Sequence, residues 1–384
     1  MFKSLSLHNF KCFSSFEKPL EFSMVNILSG SNGRGKSSIF QSILALAQSY
    51  ESGKDLRTLK LNGALLNMGN FKDVIHKGDV AKLFSIALTT DDASDNDLRF
   101  VCRSNDGVEC LFDNVYVNET PLITEMAMGN VDDKGEVVSS VIRVNAIHTT
   151  TYESFSQLAN VYYISADRIG PRNSVRMQTE KVADQIGIHG ENVINRLYEG
   201  KDDFQKDVQN VMSVILGGAS VRVFNSPDYE EVKLLLDSVD DSEGYKPMNV
   251  GFGYSYILPL VVLPLIVPEG SKLFIENPEA HLHPGAQSRL TRFLIEIATK
   301  KRLQLFIETH SEHVINGLRK AVVDPGVEFG ANDATIYFVK QAEGQPEIEK
   351  ITTDEKGNLS DFPVDFFDQQ RQDLFDIMQF AHKR

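Results

Sequence analysis

The chain has 384 residues, 42% of them hydrophobic and 24% charged; it can bury a sizeable core in two or three lobes, and the disordered and fibrous classes are excluded. Lys and Arg total 39 against 53 Asp and Glu, a formal net charge of −14. That excludes a protein coating nucleic acid with its whole surface, because phosphate binding needs a local excess of cations; a local basic groove stays open.

In chain order, the start MFKSLSLHNFKCF reads as an amphipathic strand and not as a charged stub before an apolar signal core. Met24 to Leu28 is a second, short apolar strand. After glycines at 30, 33 and 35 the period lengthens, and Ile39, Ile43, Leu46 and Tyr50 fall at helical spacing, with Phe40, Leu44 and Ala47 widening the stripe. Residues 60–165 are expected to be mainly β, with segments such as Leu83–Leu88, Leu98–Cys102 and Val141–Val144 between Asp, Asn and Gly clusters. Residues 175–216 carry helical signals at Val193, Ile194, Leu197 and at Val208, Val211, Met212, Ile215.

From residue 250 apolar strands alternate with helices. Lys272–Ile275, a helix through Leu290, Leu294 and Ile297, Leu303–Ile307, a helix through Val314 and Leu318, and Thr335–Val339 predict an α/β lobe with a largely parallel sheet. The most apolar run, Tyr256 to Val267, is about 12 residues with two prolines, against the roughly 20 a bilayer takes. Three cysteines (Cys12, Cys102, Cys110) lack both a disulfide framework and zinc spacing. The expectation is a cytoplasmic protein of a reducing compartment, with no membrane partner.

Gly30-Ser31-Asn32-Gly33-Arg34-Gly35-Lys36-Ser37 matches G-x-x-x-x-G-K-[ST] in full, between a predicted strand and a predicted helix. Glycines let backbone N–H groups turn inward around phosphates, and the following helix adds its positive N-terminus. Lys36 is expected to reach the β- and γ-phosphates and the Ser37 hydroxyl to ligate Mg²⁺. The candidate nucleotide-binding residues are Asn32, Gly33, Arg34, Gly35, Lys36, Ser37 and Ser38.

Such a loop needs a second acid for Mg²⁺, normally at the end of an apolar strand, and Leu273-Phe274-Ile275-Glu276 supplies one. Asn277-Pro278-Glu279-Ala280-His281-Leu282-His283-Pro284 follows, then Leu305-Phe306-Ile307-Glu308-Thr309-His310-Ser311. Between loop and acid, Asn249-Val250-Gly251-Phe252-Gly253-Tyr254-Ser255 is a Gly-rich turn leading into an apolar helix.

This set resembles the ATP-binding-cassette-type AAA ATPases of the group containing RecF, OLD proteins and the heads of structural-maintenance-of-chromosomes proteins. It is most similar to compact bacterial ATPases with E-N-P-E-A-H-L-H-P, E-T-H-S-E-H and a C-terminal F-F-D-Q, here Phe366-Phe367-Asp368-Gln369. The resemblance runs from Asn9-Phe10-Lys11 to Gln369, nearly the whole chain. It implies an α/β fold, an ABC-type P-loop ATPase head with a mixed sheet. The expected parts are an N-terminal lobe with a β-rich insertion at 1–165, a mainly helical insertion at 166–248 and a parallel α/β lobe at 249–384.

The resemblance also implies roles. Lys36 and Ser37 hold phosphate and Mg²⁺, Glu276 takes the Walker B place and completes the Mg²⁺ shell through water, and His310 is the switch histidine that senses the γ-phosphate. Gly251, Gly253 and Ser255 stand where the signature motif contacts the nucleotide bound by a partner subunit. Arg168, in Ser165-Ala166-Asp167-Arg168, matches an arginine motif whose role the sequence does not reveal. The expected cofactors are ATP and Mg²⁺. The chain departs from the group after the Walker B acid, where a water-activating glutamate is usual and Asn277 stands. An amide cannot serve as a carboxylate base. Either Glu279 or His310 orients the water, or hydrolysis is slow and ATP acts mainly as a clamp; slow turnover is the expectation, because phosphoryl transfer does not require a strong base.

Other clusters have plainer readings. His281 and His283 have no evident third metal ligand. Lys300-Lys301-Arg302 reads as a solvated helix end before a DNA contact, and Asp237, Asp240, Asp241 and Glu243 as an acidic turn before a nuclease cluster. Glu308 and Glu312 read as a strand end and a first-turn helix carboxylate. Only 74 residues follow His310, so any nucleic-acid cleavage is expected from a separate protein. The leading expectation is a self-associating switch ATPase, two subunits sandwiching ATP, that gates a separate nuclease or toxin in bacterial antiphage defence. A RecF-like DNA-repair ATPase, a transporter energy subunit and a non-hydrolysing scaffold are the alternatives. The −14 charge counts against the first, and departure from L-S-G-G-Q in the signature turn against the second.

Overall fold

The computed structural model describes residues 1–51, 57–77, 82–91, 96–131, 137–145, 155–177, 186–226, 230–240, 242–342, 345–363, 366–367 and 369–382. Asp241 and Asp368, singled out above, lie outside the described residues. The chain divides into two units, Met1–Phe22 with Ser37–Ala159 and Ser23–Lys36 with Asn160–Arg384.

In the first unit, β1 (Phe2–Phe10), β2 (Phe13–Ser15) and β3 (Leu20–Glu21) precede β4 (Val25–Gly30), which belongs to the second unit. Then come α1 (Lys36–Glu51), α2 (Phe71–Val74), β5 (Leu83–Thr90), β6 (Asp97–Arg103), β7 (Leu111–Val117) and β8 (Thr120–Pro121). The strands form an antiparallel sheet in the order β2-β1-β5-β6-β7-β8, with β3 also paired to β1. Burial alternates along β5, where Phe84, Ile86 and Leu88 point inward while Ser85 and Ala87 are only partly covered. That is the period of a sheet with one face on the core. Phe84 stacks on Phe71 and tilts against Phe10, with centroids 5.6 Å and 5.4 Å apart. α1 is buried nearly all round, Ser42, Ala45, Gln48 and Ser49 included, so the predicted stripe is part of an enclosed helix. β9 (Ile123–Val131) and β10 (Val137–Asn145) pair as a two-stranded ribbon.

The second unit adds β11 (Val161–Ile164), β12 (Ser174–Arg176), α3 (Val193–Glu199), α4 (Lys201–Leu216), β13 (Ser220–Ser226), β14 (Glu231–Asp237) and α5 (Phe252–Ile266). It continues with β15 (Lys272–Glu276), α6 (Pro284–Lys301), β16 (Gln304–Glu308), α7 (Glu312–Val323), β17 (Ala334–Ala342), β18 (Gln345–Ile351) and α8 (Gln369–His382). Its main sheet has the order β11-β15-β16-β4-β17-β18 and is parallel except for β18. β4, β15 and β16 are buried almost without interruption, as befits strands covered on both faces. Phe274 and Phe306 stack across neighbouring strands with centroids 4.4 Å apart.

The segment 166–248, expected to be mainly helical, folds as α3 and α4 with the antiparallel sheet β12-β14-β13. α5 is apolar all round and buried from Ile257 to Pro264, and its two prolines withhold backbone donors from the helix interior. The Lys301 ammonium donates to the carbonyls of Pro264, Leu265 and Val267 at the helix's C-terminal end, where a cation is favoured. Among the described residues no helix is long and apolar enough to cross a membrane.

Candidate functional site

The site lies at the C-terminal ends of the parallel strands, where such sheets place their ligands. β4 ends in Gly30, whose φ of 132° is outside the range of L side chains. A Cβ there would also lie 2.1 Å from the Val339 carbonyl oxygen of β17. The loop turns again through Gly33 and Gly35, both at positive φ; Asn32 and Gly33 are exposed and Arg34 and Gly35 half-buried.

Lys36, at the first position of α1, is 3% exposed. Its ammonium donates to the carbonyls of Gly30 and Ser31, each at 2.9 Å, and lies 3.9 Å from the Glu308 carboxylate. Burial pushes the Lys36 pKa down and Glu308 pulls it back up. Ser37 and Ser38 follow on the same helix, both half-buried.

Glu276 and Glu308 are register partners at the ends of β15 and β16, and Glu308 pairs in turn with Leu28 of β4. Glu276 accepts from the Ala166 N–H at 3.2 Å and is hydrogen-bonded by Tyr163 of β11. Burial, then the Glu276 charge, pushes the Tyr163 phenol well up, which keeps it a donor.

Asn277 takes φ 44°. Asparagine tolerates this left-handed region better than most residues, where a β-carbon elsewhere costs roughly 1–2 kcal/mol. This is a backbone reason for an amide where a glutamate is usual. The Asn277 N–H donates to the Glu308 carbonyl at 2.8 Å, and its Oδ1 is buried with no donor among the described residues.

Glu279 accepts on both oxygens, from Thr309 Oγ1 at 2.8 Å and from the His310 N–H at 2.7 Å. It therefore ties the loop after β15 to the loop after β16. The His310 ring is exposed, and its pKa is lowered by partial burial and then by the Lys36 charge, with Glu279 opposing. Lys36, Glu276, Asn277, Glu279 and His310, far apart in sequence, thus meet at one edge of the second unit.

The signature-like turn starts α5. Gly251 is its exposed N-cap and Phe252 is 57% exposed. A Cβ on Gly253 would lie 2.8 Å from the His281 carbonyl oxygen. The Ser255 hydroxyl is buried with no partner among the described residues. The Tyr256 ring packs tilted against His281, with centroids 4.3 Å apart and planes at 51°.

Arg168 has a place that the sequence could not supply. Its guanidinium donates to the carbonyls of Ser165 at 3.2 Å, Glu276 at 2.8 Å and Asn277 at 2.7 Å. Tyr163 was missed altogether, although its apolar run leads directly into Ser165–Arg168.

The plainer readings are also placed. His283 is the N-cap of α6 and accepts from the Gly285 N–H. Asp240 accepts from the Ala219 N–H at 2.8 Å, and Asp237 accepts from Ser238, Val239 and Ser242. Among the described residues no group of three or more His, Cys, Asp or Glu is arranged to hold a metal ion.

A phosphate loop leaving the central parallel strand β4, with acids ending the adjacent strand β16 and the next strand β15, defines a P-loop nucleotide-binding fold of the ATPase class. Residues 4–214 match the AAA domain family, and the chain belongs to it. Residues 175–315 match the AAA ATPase domain, and residues 330–377 a family described as a protein of unknown function, DUF3696. An OLD nuclease of Thermus scotoductus is 22% identical over 345 residues, 81% of this chain. The chain spans 59% of that relative's length.

The fold is that of SMC heads. An SMC head bound to the C-terminal winged-helix domain of ScpA matches with a TM-score of 0.56 at 15% identity, covering 91% of this chain and 97% of that one. An SMC head with an extended coiled coil, bound to the C-terminal domain of ScpA, from Pyrococcus furiosus, matches at 0.51 with 12% identity, covering 91% and 96%.

Proposed function

We propose that the chain is a slowly hydrolysing switch ATPase that closes as a homodimer around Mg·ATP and controls a separate effector, a nuclease or toxin, in bacterial antiphage defence. The observation that carries this reading is the buried Lys36 ammonium, held over the Gly30 and Ser31 carbonyls and 3.9 Å from Glu308. A buried cation on a glycine loop, beside strand-end acids, suits a polyphosphate with its metal.

The residues fit that ligand. The glycines at positive φ leave backbone N–H groups free to face phosphate oxygens, and Asn277 Oδ1 is a buried acceptor without a donor among the described residues. Lys36 would hold phosphate and Glu276 the metal; Ser37, from its place in the phosphate-loop motif, would be the second metal ligand. Bound Mg·ATP supplies the transferable phosphoryl group and the charge that polarises it. Glu276 is kept oriented by Ala166 and Tyr163. Glu279 holds the backbone of His310, so it is a linker before it is a base, and Asn277 offers only an amide. Turnover is therefore slow.

The exposed Gly251 and Phe252 at the start of α5 support a second copy docking there, its nucleotide facing this turn. A cytoplasmic setting accords with the free cysteines Cys12, Cys102 and Cys110. The effector role draws on similarity to the OLD nuclease and the compact ATPase group, and the acidic net charge of −14 favours a protein partner.

Light scattering with and without Mg·ATP tests the core of this. Wild type shifts to a dimer or higher even oligomer and Lys36→Ala does not; identical behaviour of the two would remove the reading. An SMC- or RecF-like DNA-repair role has the SMC-head fold in its favour and predicts ATP-dependent duplex-DNA affinity that falls steeply with salt. Asn277 favours a non-hydrolysing scaffold, which Lys36-dependent phosphate release would dismiss.

A further inference from the structure

Arg168 is 3% exposed; burial lowers its pKa to about 10, and the Glu279 and then the Glu276 charge pull it back up. A buried guanidinium normally requires a paired charge. Beside those charges it donates to carbonyl oxygens, with Nη1 on Ser165 and Glu276 and Nη2 on Asn277, while Nε is buried with no partner among the described residues. The rigid planar fork of arginine can span two successive carbonyls, which a lysine ammonium on its flexible stem matches poorly. Glu276 and Asn277 present both carbonyls to one guanidinium in a turn where Asn277 is left-handed at φ 44°.

The same guanidinium lies 5.8 Å from the centroid of the Tyr256 ring, within cation–π reach. Tyr256 packs against His281 in a tilted pair, and the His281 carbonyl is the group on which Gly253 sits too closely to carry a side chain. The contacts therefore run without a gap from Asn277 through Arg168, Tyr256 and His281 to the first turn of α5.

We propose that Arg168 is a positioning residue that locks the Glu276–Asn277 turn and, through Tyr256 and His281, makes it one rigid piece with the first turn of α5. The consequence for catalysis rests on the ATPase reading above; the mechanical coupling does not. A second copy seated on Gly251 and Phe252 would thereby set the geometry of the acid in this copy's own site.

Hydrogen exchange of the full chain, together with kcat and ATP affinity, tests this in Arg168→Ala, Arg168→Lys and Tyr256→Leu. Arg168→Ala is expected to speed amide exchange in both 276–283 and 251–257 and to lower kcat roughly 10- to 100-fold, with ATP affinity near wild type. Arg168→Lys recovers part of the loss, and millimolar guanidinium recovers part of it in Arg168→Ala. Tyr256→Leu, which leaves the carbonyl clamp intact, loosens 251–257 more than 276–283. The proposal is overturned if Arg168→Ala loosens 276–283 alone, or if kcat, affinity and Tm fall together with no recovery by lysine or guanidinium. Failure of the ATPase reading looks different: wild type binds no ATP, while the exchange pattern still reports on the coupling.

Discussion

The two sheets solve different problems with different sequence patterns. The antiparallel sheet of the first unit alternates between buried and more exposed positions along β5 and β6. The parallel sheet of the second unit is buried almost continuously along β4, β15 and β16. Its chemistry sits at the strand ends, at the half-buried Gly30 and Glu276 and at the buried Glu308. The lesson is that a fully covered strand can present a charge only at its end, so the ends of β4, β15 and β16 concentrate what the interior excludes.

The comparison predicts that damage to the first sheet affects stability and damage to the second affects ligand handling. Phe84→Ala removes a fully buried ring packed on Phe10 and Phe71 and should destabilise by about 3–5 kcal/mol. Denaturant melts should report this, with ATP affinity unchanged in the protein that remains folded. Loss of affinity at full foldedness would break the comparison.

Lys36→Ala should do the opposite, lowering phosphate release roughly 100- to 1,000-fold while the melt moves little, since the Gly30 and Ser31 carbonyls stay near the loop surface. A large fall in Tm would show that this lysine serves the fold first.

Asn277 separates backbone from side chain. Asn277→Ala should destabilise by about 1 kcal/mol, because alanine resists φ 44°, and Asn277→Gly by less. If both slow phosphate release equally, the amide acts in turnover; if only alanine does, the turn conformation is what matters.

The smallest expected effect is a pH slope. The His310 pKa is held below its usual value by burial and by Lys36, so the unfolded chain binds the proton more tightly. Stability should therefore decline as pH falls through the ordinary imidazole range, about 6.5. His310→Gln should flatten that part of the profile, and an unchanged slope would show that another group sets it.

Much of this was legible in the sequence, for physical reasons that differ by element. The phosphate loop was readable because its chemistry is local, one strand, three glycines and a lysine within a few residues. Glu276 was readable because an apolar strand ending in an acid is conspicuous. The role of Arg168 was not, because two of its partners are carbonyls more than 100 residues away, and any residue supplies a carbonyl. Glu279 could be flagged by spacing, but only the fold shows both its oxygens engaged by Thr309 and His310. The sheet in 166–248 carried a usable signal: Val221 and Val223, and Val232, Leu234 and Leu236, alternate at the period of two that their burial shows. The helical spacing of Val208 to Ile215 beside them masked it.

On the proposed reading, Lys36 and the strand-end acids form one Mg·ATP site. Isothermal titration of Mg·ATP into the wild type and Lys36→Ala proteins tests it most directly. Saturable binding by wild type, lost in Lys36→Ala and weakened when Mg²⁺ is withheld, is the predicted result. Equal heats from the two proteins, or binding indifferent to Mg²⁺, would contradict it.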